Sequence, residues 1–322
     1  MIGRLVALCL LLGCLTACGF GSGDVSNVDD YWLTESATDA ERLELLRRAR
    51  DVDPCALLPR ENLAEFGTVL RVFNHGPSAC TATLDSDEIS ERTQFRFFFF
   101  VRKPGVPAHV AGAPVRTVDG VEMTSVRELD QLGEEYEDQL LERTCVVTAG
   151  FPSLLTFKLH SSNPLGAEPC PVGEQVMHAA LATWKAEPPM GSSPDTASTV
   201  VDEVDPCGPA AALGVTAPAD RQSTWSCEFE YRGDRISLEY VYVAERYTMG
   251  PPTFSVGTHR AYRVDEPGDD LVRYYGRIGP PIENADKVGY TGPSLPTITV
   301  TGKDVAAVED VVRRAFSLIP GW

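Results

Sequence analysis

Thiols and imidazoles can act as nucleophiles, general bases or metal ligands, and this 322-residue chain carries nine cysteines and five histidines. Their spacing argues against each of those roles. Cys55, Cys80, Cys145, Cys170, Cys207 and Cys227 form no Cys-x-x-Cys pair, and His75, His109, His160, His178 and His259 are scattered singly. No Gly-x-Ser-x-Gly elbow, Ser-x-x-Lys, His-Glu-x-x-His or phosphate-binding glycine loop occurs. Acidic runs at Asp85-Ser86-Asp87-Glu88, Glu134-Glu135-Tyr136-Glu137-Asp138 and around Asp265-Glu266 and Asp269-Asp270 lack the ligand periodicity of a calcium loop and read as solvated surface. The expectation is a chain with no catalytic centre, no metal and no cofactor.

The six cysteines fall into a repeat. Asp53-Pro54-Cys55 is followed 25 positions later by Cys80, and Asp205-Pro206-Cys207 is followed 20 positions later by Cys227. After each Asp-Pro-Cys comes a helical run that stops at glycine, long at Ala56–Gly67 and short at Gly208–Gly214. After each second cysteine come two strand-like runs, Thr81–Leu84 with Gln94–Arg102 and Glu228–Tyr231 with Ile236–Val243. Ser153–Leu159 matches Ser294–Val300, and each precedes a run with helical apolar spacing, Val176, Ala179, Ala180 and Trp184 in one, Val305, Val308, Val311, Val312 and Phe316 in the other. Cys145 and Cys170 flank the first of these strands, and the equivalent stretch of about 286–303 has no cysteine, so the two are absent together. The repeat thus predicts Cys55–Cys80, Cys145–Cys170 and Cys207–Cys227 bridges.

The remaining cysteines lie at the N-terminus. Arg4 followed by the apolar Leu5–Leu15 reads as a signal peptide, and Leu15-Thr16-Ala17-Cys18 has the pattern of a bacterial lipobox, in which the Cys18 thiol takes a diacylglyceryl group. Acyl chains would then anchor the chain at the outer face of the cytoplasmic membrane. The formal charge is −18, and loss of Arg4 makes the exported body one unit more negative, which excludes a nucleic-acid partner. The predicted organisation is signal peptide 1–17, lipidated tether 18–37, first domain 38–185, Pro/Gly/Ser-rich linker 186–204 and second domain 205–322. Thr38-Asp39-Ala40-Glu41 opens a helix over Asp39–Arg50, Asp119-Gly120 marks a hairpin, and Glu128–Glu142 reads as helix or exposed loop. The fold class is α+β: two tandem copies, each an antiparallel sheet of four to six strands packed by helices and stapled by disulfides. Phe95-Arg96-Phe97-Phe98-Phe99-Phe100-Val101, matched by Tyr240-Val241-Tyr242-Val243, puts aromatics on both faces of a strand. Either both faces are covered there, or one row lines a groove.

With the lipobox at Cys18, Asp53-Pro54-Cys55-Ala56-Leu57-Leu58 and a second cysteine before a strand, the chain resembles an exported lipoprotein family of unknown function from high-GC Gram-positive bacteria, and is similar to disulfide-stapled extracellular sensor domains of mycobacterial Ser/Thr kinases. The resemblance implies a lipid-anchored, sensor-like binding domain of the cell envelope and carries no catalytic residue. The functional expectation is a non-enzymatic lipoprotein that reaches the membrane through its N-terminal lipid and engages a small ligand or an envelope protein. The alternatives are a cell-wall-acting enzyme or accessory factor using acidic side chains, and a structural subunit of a membrane complex.

Overall fold

The computed structural model describes residues 31–36, 38–265, 270–282 and 293–322. The signal peptide, Cys18 and the tether as far as residue 30 lie outside them, as do residues 266–269 of the last acidic run. Helix α1, Asp39–Arg50, is opened by the capping box: the Thr38 hydroxyl accepts from Glu41 N at 3.3 Å and the Glu41 carboxylate accepts from Thr38 N at 2.9 Å. Then come α2 (Arg60–Leu63), β1 (Val69–Gly76), β2 (Ala79–Leu84), β3 (Thr93–Val101), β4 (Arg116–Val118), β5 (Val121–Arg127), α3 (Glu128–Leu132), β6 (Arg143–Gly150), β7 (Leu155–Asn163) and α4 (Pro169–Trp184). The second half contributes α5 (Gly208–Ala212), β8 (Ser226–Tyr231), β9 (Asp234–Ala244), β10 (Phe254–Val256), β11 (His259–Val264), β12 (Val272–Arg277), β13 (Ser294–Gly302) and α6 (Val305–Leu318).

These strands form two antiparallel sheets. The first has seven strands in the order β1-β2-β3-β7-β6-β5-β4, the second six in the order β10-β11-β12-β13-β9-β8. Seven exceeds the expected four to six because β1, kinked by register shifts at both ends, adds an edge strand beside β2. Asp119 and Gly120, with φ of 49° and 80°, make the tight β4–β5 turn, which needs left-handed backbone at both positions. Glu128–Gln139 is short helix, α3 followed by a 3-10 turn.

On one face of the first sheet, Phe95, Phe97, Phe99 and Phe157 pack with Trp184 of α4 and share a core with Leu45, Leu46 and Ala49 of α1. Trp32, within the expected tether, is 2% exposed, sits 4.9 Å from Trp184 and donates to Glu187 at 2.7 Å, so residues 31–36 belong to the folded body.

Without β1, the two sheets have the same strand order: β2-β3-β7-β6-β5-β4 against β8-β9-β13-β12-β11-β10. Registers agree as well. Across the first sheet Cys80 faces Phe97, which faces Leu159, which faces Val147; across the second Cys227 faces Leu238, which faces Val300, which faces Tyr274. On the following helices, buried Gly173, Val176, Met177, Ala180 and Leu181 have the spacing of buried Val308, Val311, Val312, Ala315 and Phe316. All three expected bridges are present, with Cα–Cα distances of 5.1, 5.1 and 5.3 Å.

Candidate ligand-binding site

Each Asp-Pro-Cys begins as an Asx turn: Asp53 Oδ1 accepts from Cys55 N at 2.9 Å, and Asp205 Oδ1 from Cys207 N at 3.1 Å. Asp53 is fully buried and does more, accepting also from Ala56 N, from Ser193 N at 2.9 Å and from the Thr196 hydroxyl at 2.5 Å. The Pro/Gly/Ser-rich stretch after residue 186 is thereby fastened to the first half, together with Asn74, whose side chain accepts from Ala197 N. The sequence marked Asp53 only as part of the repeat; its role in fastening this stretch is invisible there because Ser193 lies 140 positions away.

Past Cys55 and Cys207, the two halves diverge. In the first, Leu57, Leu58, Pro59, Asn62, Leu63, Glu65 and Phe66 stand off from Gln175, Val176, His178 and Ala179 of α4, leaving a cleft of about 360 Å³. Its floor is apolar, with Leu57, Leu58, Leu63 and Val176 all buried, and its rim is polar, with exposed His178 and Gln175. That is the size and make-up of a small-molecule site. Glu65 is the one carboxylate among the lining residues, so the paired acids that glycosidic hydrolysis needs are not found there. In the second half the segment after Cys207 is the shorter one, ending at Gly214, and its helix α5 packs on α6. A wider depression of about 890 Å³ lies between α1 and the α5 region, but it is lined by charged pairs such as Arg47 with Glu44.

The aromatic strand is split by its pleat. Phe95, Phe97 and Phe99 are core, whereas Phe98 and Phe100 are half-buried on the opposite face. Of the matching tyrosines, Tyr240 is buried, and burial raises its pKa; Tyr242 reaches the first half, bonding Thr199 at 3.0 Å beside Phe73. His259 is buried with Nε2 3.2 Å from Ile319 O, His109 lies 3.2 Å from Thr124, and His75 Nδ1 lies 2.8 Å from the Thr81 hydroxyl. His160 tilts over Phe98 at 5.6 Å. Among the described residues, no three His, Cys, Asp or Glu side chains gather as a metal site, and no helix is long and apolar enough to cross a membrane. Comparison with protein-family models, curated proteins and solved structures gives no match.

Sequence reasoning missed Arg42. Only 3% exposed, it donates to Ala219 O and Gln222 O of the second half at 2.9 Å each and to Arg102 O at 2.7 Å, so one guanidinium ties the halves together. An arginine amid the polar spacing of α1 gives no sign of this.

Proposed function

We propose that the chain is a lipid-anchored, extracytoplasmic binding protein made of two tandem copies of one α+β domain, of the kind its lipobox and Asp-Pro-Cys pattern resemble, and that the α2/α4 cleft of the first copy holds a small, mainly apolar ligand. The cleft carries this reading: buried leucines form its floor and polar groups are confined to its rim, the arrangement that removes apolar ligand surface from water while orienting one end. Three disulfides favour an oxidising compartment, in keeping with export and attachment through Cys18. Shared strand order and register support the tandem copies.

The test uses the full chain and N-phenyl-1-naphthylamine, a neutral apolar fluorophore. Wild-type protein should bind it saturably, and Ala179→Phe, which fills the cleft from α4, should weaken binding at least tenfold with an unchanged melting temperature. Equal binding by both would remove the cleft from the proposal. In cells, Cys18→Ala should move the protein out of the membrane fraction; retention there would refute the lipid anchor.

A further inference from the structure

The open face of the first sheet carries a second constellation that the cleft does not use. Antiparallel pairing of β3 with β7 sets Arg96 opposite His160 and Phe98 opposite Lys158, and the period-two pleat puts Phe100 on the same face. The rings form one surface: Phe98 and Phe100 stack at 6.2 Å with an interplanar angle of 21°, and His160 adjoins Phe98. Lys158 Nζ stands 5.8 Å from the Phe100 centroid. On one side Phe73 is docked against Tyr242 and Ile282; on the other, Ala108 and His109 lie against Gly150 and Thr124.

Charge singles this face out. The chain has 46 acidic residues against 28 lysines and arginines, and arginines such as Arg47, Arg48, Arg60, Arg71 and Arg143 are engaged by carboxylates. Neither Arg96 nor Lys158 has a carboxylate within ion-pair distance among the described residues; Arg96 donates to the neutral Gln94 at 2.7 Å. Burial and the Arg96 charge push His75 down to about 4, and similar effects lower His160, so at neutral pH the positive charge here is that of Arg96 and Lys158. The fold does not demand these residues. In the matching register of the second sheet, Ser237, Glu239 and Val241 replace Arg96, Phe98 and Phe100, and Thr299 and Thr301 replace Lys158 and His160.

We propose that this face is a binding site, separate from the α2/α4 cleft, for an oxyanion carried on a flat apolar body. Phe98, Phe100 and His160 take the body and Arg96 and Lys158 the anion. A carboxylate or a phosphate monoester on a planar ring has that chemistry.

The full chain is titrated by calorimetry with 2-naphthoate, 2-naphthyl phosphate, 2-naphthylmethanol, dodecanoate and inorganic phosphate. Both naphthyl anions should bind at least tenfold tighter than 2-naphthylmethanol, and their relative affinities identify which oxyanion is preferred. Arg96→Gln, at an exposed position, should remove most of that advantage with an unchanged melting temperature, Phe98→Ser should weaken all three naphthyl compounds, and Ala179→Phe should leave them unaffected. Equal binding of the neutral and anionic compounds, or indifference to Arg96→Gln, overturns the anion site. Inorganic phosphate as tight as naphthyl phosphate, or dodecanoate tighter than both naphthyl anions, overturns the flat apolar body. Loss of naphthyl binding in Ala179→Phe returns the ligand to the cleft.

Discussion

Val272→Cys with Val305→Cys should create a fourth disulfide in the second half, in the place where the first half has Cys145–Cys170. The positions follow from register and packing. Cys145 faces Ser161 on β7 as Val272 faces Gly302 on β13, placing the counterpart of Cys145 on β12, upstream of the 286–303 stretch that sequence indicated. On the helices, a Cβ built on Gly173 comes within 2.9 Å of Ser161, while one built on Gly302 comes within 2.9 Å of Val308, so small and large residues have changed sides of the same contact. Cys170 lies three residues before Gly173 and Val305 three before Val308. Val272 is 8% exposed and Val305 packs on the same core. A bridge there closes a loop of about 33 residues, which on the chain-entropy account stabilises by about 3–4 kcal/mol before any strain. Urea unfolding of the oxidised double variant against wild type measures that gain, and non-reducing peptide mapping identifies the link. Free, alkylatable thiols at 272 and 305 in a folded protein with its three native bridges intact would refute the correspondence between the two copies.

Arg42→Met should cost about 2–4 kcal/mol, because three charge-assisted bonds to buried and half-buried backbone carbonyls are lost while the desolvation of a buried guanidinium is relieved. Hydrogen exchange should speed up around Ala219–Gln222 with the central strands still protected; unchanged exchange there would show that Arg42 does not tie the halves. For His75, the folded pKa of about 4 lies below the ordinary 6.5, so the unfolded chain binds the proton more readily. The resulting stability, on the order of 3 kcal/mol, is complete above about pH 6.5 and is lost as pH falls towards about 4. Between pH 7.5 and 4.5 wild-type protein should lose more urea resistance than His75→Gln, and parallel losses would place the acid sensitivity elsewhere.

The features legible in the sequence were those that repeat or punctuate locally. Two Asp-Pro-Cys motifs with matching followers and the joint absence of a second pair in copy two were enough to pair six cysteines, Asp119-Gly120 marked its turn, and apolar spacing located α4 and α6. What escaped notice depends on partners far along the chain. Trp32 lies in a short Tyr31-Trp32-Leu33 run with no helical or strand periodicity, yet it packs 4.9 Å from Trp184. Strand β1 buries Val72, Phe73 and Asn74 in succession, because Val72 packs into the core of the first half while Phe73 packs against Tyr242 and Ile282 of the second. Strands β11 and β12 place Arg260, Arg263, Arg273 and Arg277 among their apolar residues, which hides them from an alternation search. The Phe95–Val101 run was readable as two-faced, but the cationic character of its outer face needed the β3–β7 register.

In their common register, the two halves share some features and differ in others. The shared features are an Asx turn before a cysteine, a bridge to β2 or β8, an apolar row across the central strands and a helix with the same buried positions. The differences lie in the first half, where the longer segment after Cys55 leaves a cleft against α4 and aromatic rings share a sheet face with two cations that have no carboxylate partner among the described residues. In the second, a shorter segment follows Cys207, and Ser237, Thr299, Thr301, Glu239 and Val241 stand where Arg96, Lys158, His160, Phe98 and Phe100 would be. The second sheet forms with no aromatic ring and no cation at these five positions. That difference in composition at matched positions is what motivates the proposed oxyanion site on β3 and β7.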